Sequence, residues 1–375
     1  MPHAPRVVCS TNRGRRGASA GGPRGRQGPA GPRRWWSPLA LVIAFLALAA
    51  LVACGGAPAG QGAAPASGAA GTDAPAPAAA FPVTLTDDDG RTVTLARMPG
   101  RIVSVAPSNT EILFALGLGD RVVGVTTFCD YPAAAAAKPK IGGLRPNLEA
   151  IVAQQPDLVL GIRGTPPDVI AALEGQQIAV AILNPVDFAG VLANLRAIGR
   201  LTGTAPAAER LTGEMDARWK AVEARARGAS GRPRVLYEID SSDPAAISAA
   251  GPGTFIDAMI TASGGVNVLS ALTPGQQYPR IGAEAILGAD PDLILIGDAP
   301  FGQTKAVVAA RPGWDALRAV QRGALVEIDD PNVTSRPGPR LVEGLELVAR
   351  AIHPEVFGAA PPPATPPPPV RTPAG

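Results

Sequence analysis

Leu148–Gly161 reads LEAIVAQQPDLVLG, and Ala283–Gly297 reads AEAILGADPDLILIG. In each, a Glu (Glu149, Glu284) opens a short helical run, a Pro-Asp pair (Pro156-Asp157, Pro291-Asp292) closes it, and an aliphatic strand follows. The offset from Glu to Pro is the same in both copies. A proline has no N–H to donate and clashes with the preceding turn, so the helix stops there. The aliphatic run that follows suits a strand buried on both faces. A repeat at so wide a spacing implies two similar lobes, each presenting one acid on the same element. Taken alone, each Glu favours the positive N-terminal end of its helix.

Outward from the first copy, Val83–Leu95 alternates about an Asp-Asp-Asp-Gly turn and predicts a β-hairpin. Arg101–Ala106 predicts a buried strand running into Pro107-Ser108-Asn109-Thr110-Glu111, where Ser108 and Glu111 have capping-box spacing. A helix from Glu111 to Leu116 should end at Gly117. Further strands are expected at Arg121–Thr126, Leu158–Gly161 and Ile178–Leu183. Strands alternating with helices make this an α/β lobe with a parallel sheet.

The middle of the chain is helical. Asp187–Leu201 predicts one helix and Ala205–Arg227 a second, longer one, with Pro206 placed for a first turn. At 1.5 Å per residue the second spans roughly 35 Å, enough to bridge two lobes. The α/β pattern then restarts: strand Arg234–Ile239, a Gly251-Pro-Gly253 turn, helix Gly253–Ala262, the second repeat copy with strand Leu293–Ile296, helix Trp314–Ala319, strand Ala324–Ile328 and a final helix Pro339–Ile352. The fold expected is α/β, two lobes with mainly parallel sheets joined by a single long backbone helix.

The ends of the chain differ in kind. Met1–Ser37 is rich in Arg, Gly and Pro, and Leu39–Ala53 is apolar, of the length of a signal-peptide core and short for a membrane span. Leu51-Val52-Ala53-Cys54 resembles a bacterial lipobox, with cleavage before Cys54 and lipid on its thiol; the alternative is a membrane helix with an incidental Cys. Arg33-Arg34 is a loose match to the twin-arginine export route. Gly55–Ala80 is nearly all Ala, Gly, Pro, Ser and Gln and cannot bury enough apolar surface to fold. The Pro-rich Ala359–Gly375 is expected to be disordered as well. The divisions are a signal peptide over 1–53, a tether over 54–81, lobes over 82–204 and 229–358, a linking helix over 205–228 and a tail over 359–375.

The net charge of +3 comes from targeting. Removing the eight arginines of a leader that holds no acid leaves −5 for the mature chain, and nothing in the body points to a nucleic-acid partner. After export Cys129 is the only free thiol, so no internal disulfide can form; it reads as a small buried filler. His353 is the only histidine outside the leader and is expected at the surface or in a helix-terminal turn, which argues against direct capture of a bare transition metal. No phosphate-binding loop and no nucleophile elbow is present. The chain reads as a binder and not an enzyme.

The run from Ser104, SVAPSNTEILFALG, followed by VGVTTF and Cys129-Asp130-Tyr131-Pro132, resembles the first lobe of class III periplasmic binding proteins of ABC importers, which serve cobalamin, iron-siderophore and haem uptake. The resemblance covers Pro82–Phe357. It implies a ligand cleft between the lobes and assigns the repeat: Glu149 and Glu284 match the acids that dock onto arginines of the two permease subunits. Two exposed carboxylates, one per lobe, suit a two-fold symmetric partner with two basic pockets. Tyr131 and Tyr278 match aromatics that pack on a corrin ring, while Gly143 and Ile162 stand where cobalamin binders can carry Trp. Arg163, Arg280 and Arg336 fall at or beside cleft positions and suit an anionic ligand.

The expectation is a monomeric, extracytoplasmic, lipid-anchored binding protein with no cofactor of its own. Its ligand is a corrinoid, ferric siderophore or haem, and its partners are the permease dimer, the ATPase and, through the lipid, the membrane. Two other readings stay open. One is a surface-anchored hydrolase using Cys129, which lacks a nearby His to activate the thiol; the other is a ligand-sensing module on the same fold.

Overall fold

A computed structural model describes residues 81–358. The leader, Cys54, most of the tether and the tail lie outside the described residues. Among the described residues twelve strands form three sheets. β1 (Val83–Thr86) and β2 (Thr92–Leu95) make the expected antiparallel hairpin. β3 (Ile102–Ser104), β4 (Val122–Val125), β5 (Leu158–Gly161) and β6 (Ala179–Ile182) form an all-parallel sheet in the order β4-β3-β5-β6.

The second sheet is mixed. Its strands are β7 (Arg234–Asp240), β8 (Ile247–Ala249), β9 (Val266–Asn267), β10 (Arg280–Ile281), β11 (Leu293–Ile296) and β12 (Leu325–Glu327), in the order β10-β8-β7-β11-β12 with β9 also on β7. β7, β9, β11 and β12 are parallel, whereas β8 runs antiparallel to both β7 and β10.

The repeat has a mechanical explanation. In the first copy the carboxylate of Asp157 accepts the backbone N–H groups of Gly100 and Arg101 (2.9 and 3.0 Å) at the start of β3. In the second, Asp292 accepts the N–H of Arg234 (2.9 Å) at the start of β7. The side chains of Arg101 and Arg234 return the favour, donating to the last helical carbonyls, Gln154 O (2.6 Å) and Ala289 O (2.8 Å). Those carbonyls have no partner within the helix, so a cation there both satisfies and neutralises the helix end. Gln155 and Asp290, each just before the proline, both take positive φ (46° and 42°). The Pro-Asp pair therefore clips helix, turn and central strand together, once per sheet.

Between the sheets run helices Phe188–Thr202 and Ala205–Ala226, the latter of 22 residues. They pack closely: a Cβ on Gly199 would overlap that of Ala208, and the rings of Phe188 and Trp219 stack at 4.1 Å. Helix Leu341–Ile352 lays its apolar face, including Leu345, Val348 and Ile352, into the same core.

Two local readings are corrected. Pro107 starts the first helix (Pro107–Ala115) a turn earlier than expected, so Ser108 and Glu111 lie inside it and no side-chain cap forms. Trp314–Ala319 is not one helix but a short 3-10 turn, Trp314–Ala316, followed by helix Arg318–Gln321. Of the two places expected for His353, the structure gives the helix-terminal turn: it caps the end of helix Leu341–Ile352, buried at 1% exposure, its Nδ1 2.9 Å from Glu355 Oε1.

Candidate functional site

In an open α/β sheet the strand order reverses at one point, and the crevice there collects loops from the carboxyl ends of two strands. In the first sheet the reversal lies between β3 and β5; in the second it lies between β7 and β11. A cavity of about 410 Å³ takes its walls from both lobes. One wall carries Pro107 and Ser108, just after β3, and Ile162 and Arg163, just after β5; the other carries Thr254, Tyr278 and Arg336. A second, mainly apolar recess of about 310 Å³ adjoins it, sharing Thr254, Phe255, Tyr278 and Ser335. That recess reaches Tyr237 and Ile239 on β7 and Gly297 just past β11, with Phe301 also in its lining. A larger groove of about 800 Å³ lies at the far end of the long helix, around Glu223 and Arg227. It touches neither strand-order reversal and none of the residues singled out in the sequence.

Of the expected ligand contacts, Arg163, Tyr278 and Arg336 line the two-lobe cavity. Arg163 is exposed. Tyr278 is 63% exposed and belongs to both hollows; the protein around its phenol pushes that group above its ordinary value. Arg280 lies outside both hollows, bonded to the carbonyl of Ala246 (3.1 Å) and beside Asp243 (3.5 Å). Tyr131 also lies outside them, its ring 3.9 Å from the Arg340 guanidinium, a cation–π contact. Gly143 lies beside Phe128, an aromatic 47% exposed.

Two groups were missed. Phe301 is 80% exposed at the recess, in the turn after β11; its signal was a large aromatic among Asp, Pro and Gly just past a strand. The other is Glu111. Buried at 3% exposure, it accepts two hydrogen bonds from Arg340, Nε to Oε2 and Nη2 to Oε1, both 3.0 Å, and one from Arg336 Nη1 at 3.1 Å. Arg336 Nη1 also donates to Asp130 at 2.7 Å and Arg340 Nη1 to Asp330 at 2.7 Å. Glu111 and Asp130 come from the first lobe; the arginines and Asp330 come from the second. Burial alone would lower both guanidinium pKa values, but Asp130 and Glu111 around Arg336, and Glu111 and Asp330 around Arg340, outweigh it and raise them. The lobes are thus tied by a charge network beside the cavity.

Behind the recess lies a second buried cluster. Arg311 donates to Glu238 Oε1 and Ser241 Oγ, each at 2.7 Å, and Ser241 donates to Asp298 through N (2.6 Å) and Oγ (2.8 Å). Burial pushes the Glu238 carboxyl up, with Arg311 pulling it back. Burial also pushes the Tyr237 phenol up to about 12, so its hydroxyl stays neutral; it bonds Thr334 Oγ1 at 2.8 Å. Cys129 is buried, its Sγ within 3.1 Å of Thr110 Oγ1 and 3.2 Å of Thr126 Oγ1, with no access for a substrate. Among the described residues no group of three or more His, Cys, Asp and Glu side chains could hold a metal ion.

Glu149 and Glu284 are both exposed, in the first turns of helices Leu148–Ala153 and Ala283–Ala289. Each helix ends against the start of a central strand, where Arg101 or Arg234 caps it. Its first turn therefore points towards the carboxyl edge of its own sheet, the edge that builds the cavity.

Residues 102–331 match the periplasmic binding protein family, and the chain belongs to that family. An uncharacterised ABC transporter substrate-binding lipoprotein of Bacillus subtilis is 33% identical over 281 residues, covering 74% of this chain and 87% of the relative. A cobalamin-binding protein of Halobacterium salinarum is 33% identical over 284 residues, 74% of this chain and 75% of that protein. A periplasmic haem-binding protein from Roseiflexus sp. RS-1, in its apo form, superposes with a TM-score of 0.60 at 28% identity, covering 67% of this chain and 97% of that one. The chain is a substrate-binding component of an ABC transporter, a protein that binds and does not catalyse.

Proposed function

We propose that this protein captures a metal chelate outside the cytoplasmic membrane and hands it to an ABC permease dimer driven by its ATPase. The observation that carries the proposal is the cavity at the paired strand-order reversals, of mixed polar and apolar lining where the lobes meet and mainly apolar towards the second lobe. Such a pair of hollows suits an amphiphilic ligand with a flat or greasy body and a polar periphery: a corrinoid, a haem or a ferric siderophore. Arg163 and Arg336 would meet its polar edge and Tyr278 its face; Tyr131 and Arg280, outside both hollows, would meet only a ligand that extends beyond them.

Glu149 and Glu284 are the docking handles in this reading. Charges of this kind set orientation and encounter more than raw affinity, and exposure at two matching helix starts leaves both free to meet basic pockets. The long helix Ala205–Ala226 acts as a spacer between lobes, and with the Glu111 network it favours small lobe movements over wide closure. Lipid on Cys54 would hold the monomer at the membrane, with residues 54–81 as the leash.

Intrinsic tryptophan fluorescence during titration with cyanocobalamin, haemin and a ferric hydroxamate tests the ligand class. One of the three is expected to bind with a Kd at or below about 1 µM, on the order of −8 kcal/mol. No saturable binding of any of them would reject the chelate reading.

A further inference from the structure

We infer that Asp130 is a stand-in for the ligand's own anionic group: its carboxylate occupies Arg336 in the free protein and yields that place to a carboxylate or phosphate of the incoming ligand. The inference rests on the cleft being the ligand site. Arg336 lines the cavity, with its side chain 14% exposed, and holds two carboxylates on the same nitrogen, Nη1. These two are not equivalent. Glu111 is 2% exposed at its side chain and is pinned by two further bonds from Arg340, so removing it would strand buried charge. Asp130 is 61% exposed, with Arg336 as its only ion-pair partner among the described residues. Water can take over its carboxylate when it swings away, so its release strands no buried anion.

The remaining donors of Arg336 are the ones a ligand needs. Nη2 makes one long contact, 3.4 Å to Phe128 O, and Nε has no partner among the described residues. Nε and Nη2 together offer an anion two parallel N–H groups, the geometry that makes arginine a bidentate carboxylate or phosphate receptor, and the Asp130 carboxylate on Nη1 competes with that anion for the same guanidinium charge. Exchange swaps one carboxylate for another and keeps the buried Glu111–Arg340 tie intact. A neutral ligand gains nothing from the swap, so the pair sorts ligands by charge. Arg336 holds the Asp130 carboxyl below the ordinary aspartate range, so at neutral pH it is ionised and competes as an anion.

Isothermal titration at neutral pH with citrate, a tricarboxylate, compares the natural protein with Asp130→Asn. The variant should bind citrate about two- to fivefold more tightly, the scale of one exposed ion pair, and the gap should close in about 1 M salt. Equal or weaker binding by the variant overturns the inference, because Asp130 would then position Arg336 or be irrelevant to it. Absence of citrate binding to either protein overturns it too, since no anion would be reaching Arg336. Cyanocobalamin and haemin titrations on the same samples separate the two claims. If neither binds, the chelate reading falls while the citrate comparison still decides the role of Asp130.

Discussion

The two copies of the Glu…Pro-Asp repeat use the same parts to the residue and then diverge within one strand. Asp157 and Asp292 clip the first residues of β3 and β7, Arg101 and Arg234 cap the same helix ends, and the left-handed Gln155 and Asp290 turn the same corner. Pairing aligns Ile102 with Leu158 in one sheet and Val235 with Leu293 in the other. Counting forward, Val105 stands in the first lobe where Glu238 stands in the second. Val105 joins an apolar cluster, whereas Glu238 is fully buried beside Arg311. The amino end of each central strand is thus built alike for stability. The carboxyl end, where the cavity forms, is built differently in each lobe, because there the demand is set by what is bound and not by how the sheet is held.

The largest expected effect tests that divergence. Arg311→Met leaves Glu238 without its buried cation and should destabilise the protein by about 3–5 kcal/mol at pH 7.5, measured by urea unfolding. The deficit should shrink near pH 5.5. Burial raises the Glu238 carboxyl and Arg311 pulls it back; without Arg311 the folded variant takes up a proton there more readily, so it regains stability relative to the natural protein as pH falls. A loss below about 1 kcal/mol would mean that the two lobes do not differ in this energetic respect.

Smaller and symmetric effects should follow at the shared clips. Asp157→Ala removes a carboxylate from the N–H groups of Gly100 and Arg101, and Asp292→Ala removes one from the N–H of Arg234 and from the Arg318 guanidinium; each should cost about 1–2 kcal/mol, adding to within ~0.5 kcal/mol in the double variant. Burial pushes the Asp157 carboxyl up, but the N–H groups of Gly100 and Arg101 and the Arg97 guanidinium outweigh it and hold it low. Its stabilisation is therefore full above the unfolded aspartate value of about 3.9 and is lost as pH falls through the lower folded value. Acid titration of stability in Asp157→Asn should lack that component. Unequal costs at the two aspartates would break the equivalence of the copies.

Much of the scaffold was legible because it is local. β5 and β11 follow proline-terminated helices, and Ala205–Ala226 is a long run with few breakers. β8 and β10 were not legible: at three and two residues they are too short to alternate, and they exist only by pairing with each other and β7. Ser108 and Glu111 have the spacing of a cap, but Pro107 begins the helix before them. Glu111 then finds Arg340 from 229 residues away, a partnership that no local pattern encodes. The site residues divide in the same way. Arg163 sits just past a readable strand, whereas the tie of Arg336 to Asp130 needed both lobes in place.

In the function proposed above, two matched lobes each offer one acid to a dimeric membrane partner. Ligand uptake into proteoliposomes holding the permease and ATPase, with the binding protein carrying Glu149→Ala and Glu284→Ala together, tests this. Ligand affinity and folding stability should stay within about 0.5 kcal/mol of the natural protein, and uptake should fall to background. Uptake at the natural rate by the double variant would contradict it.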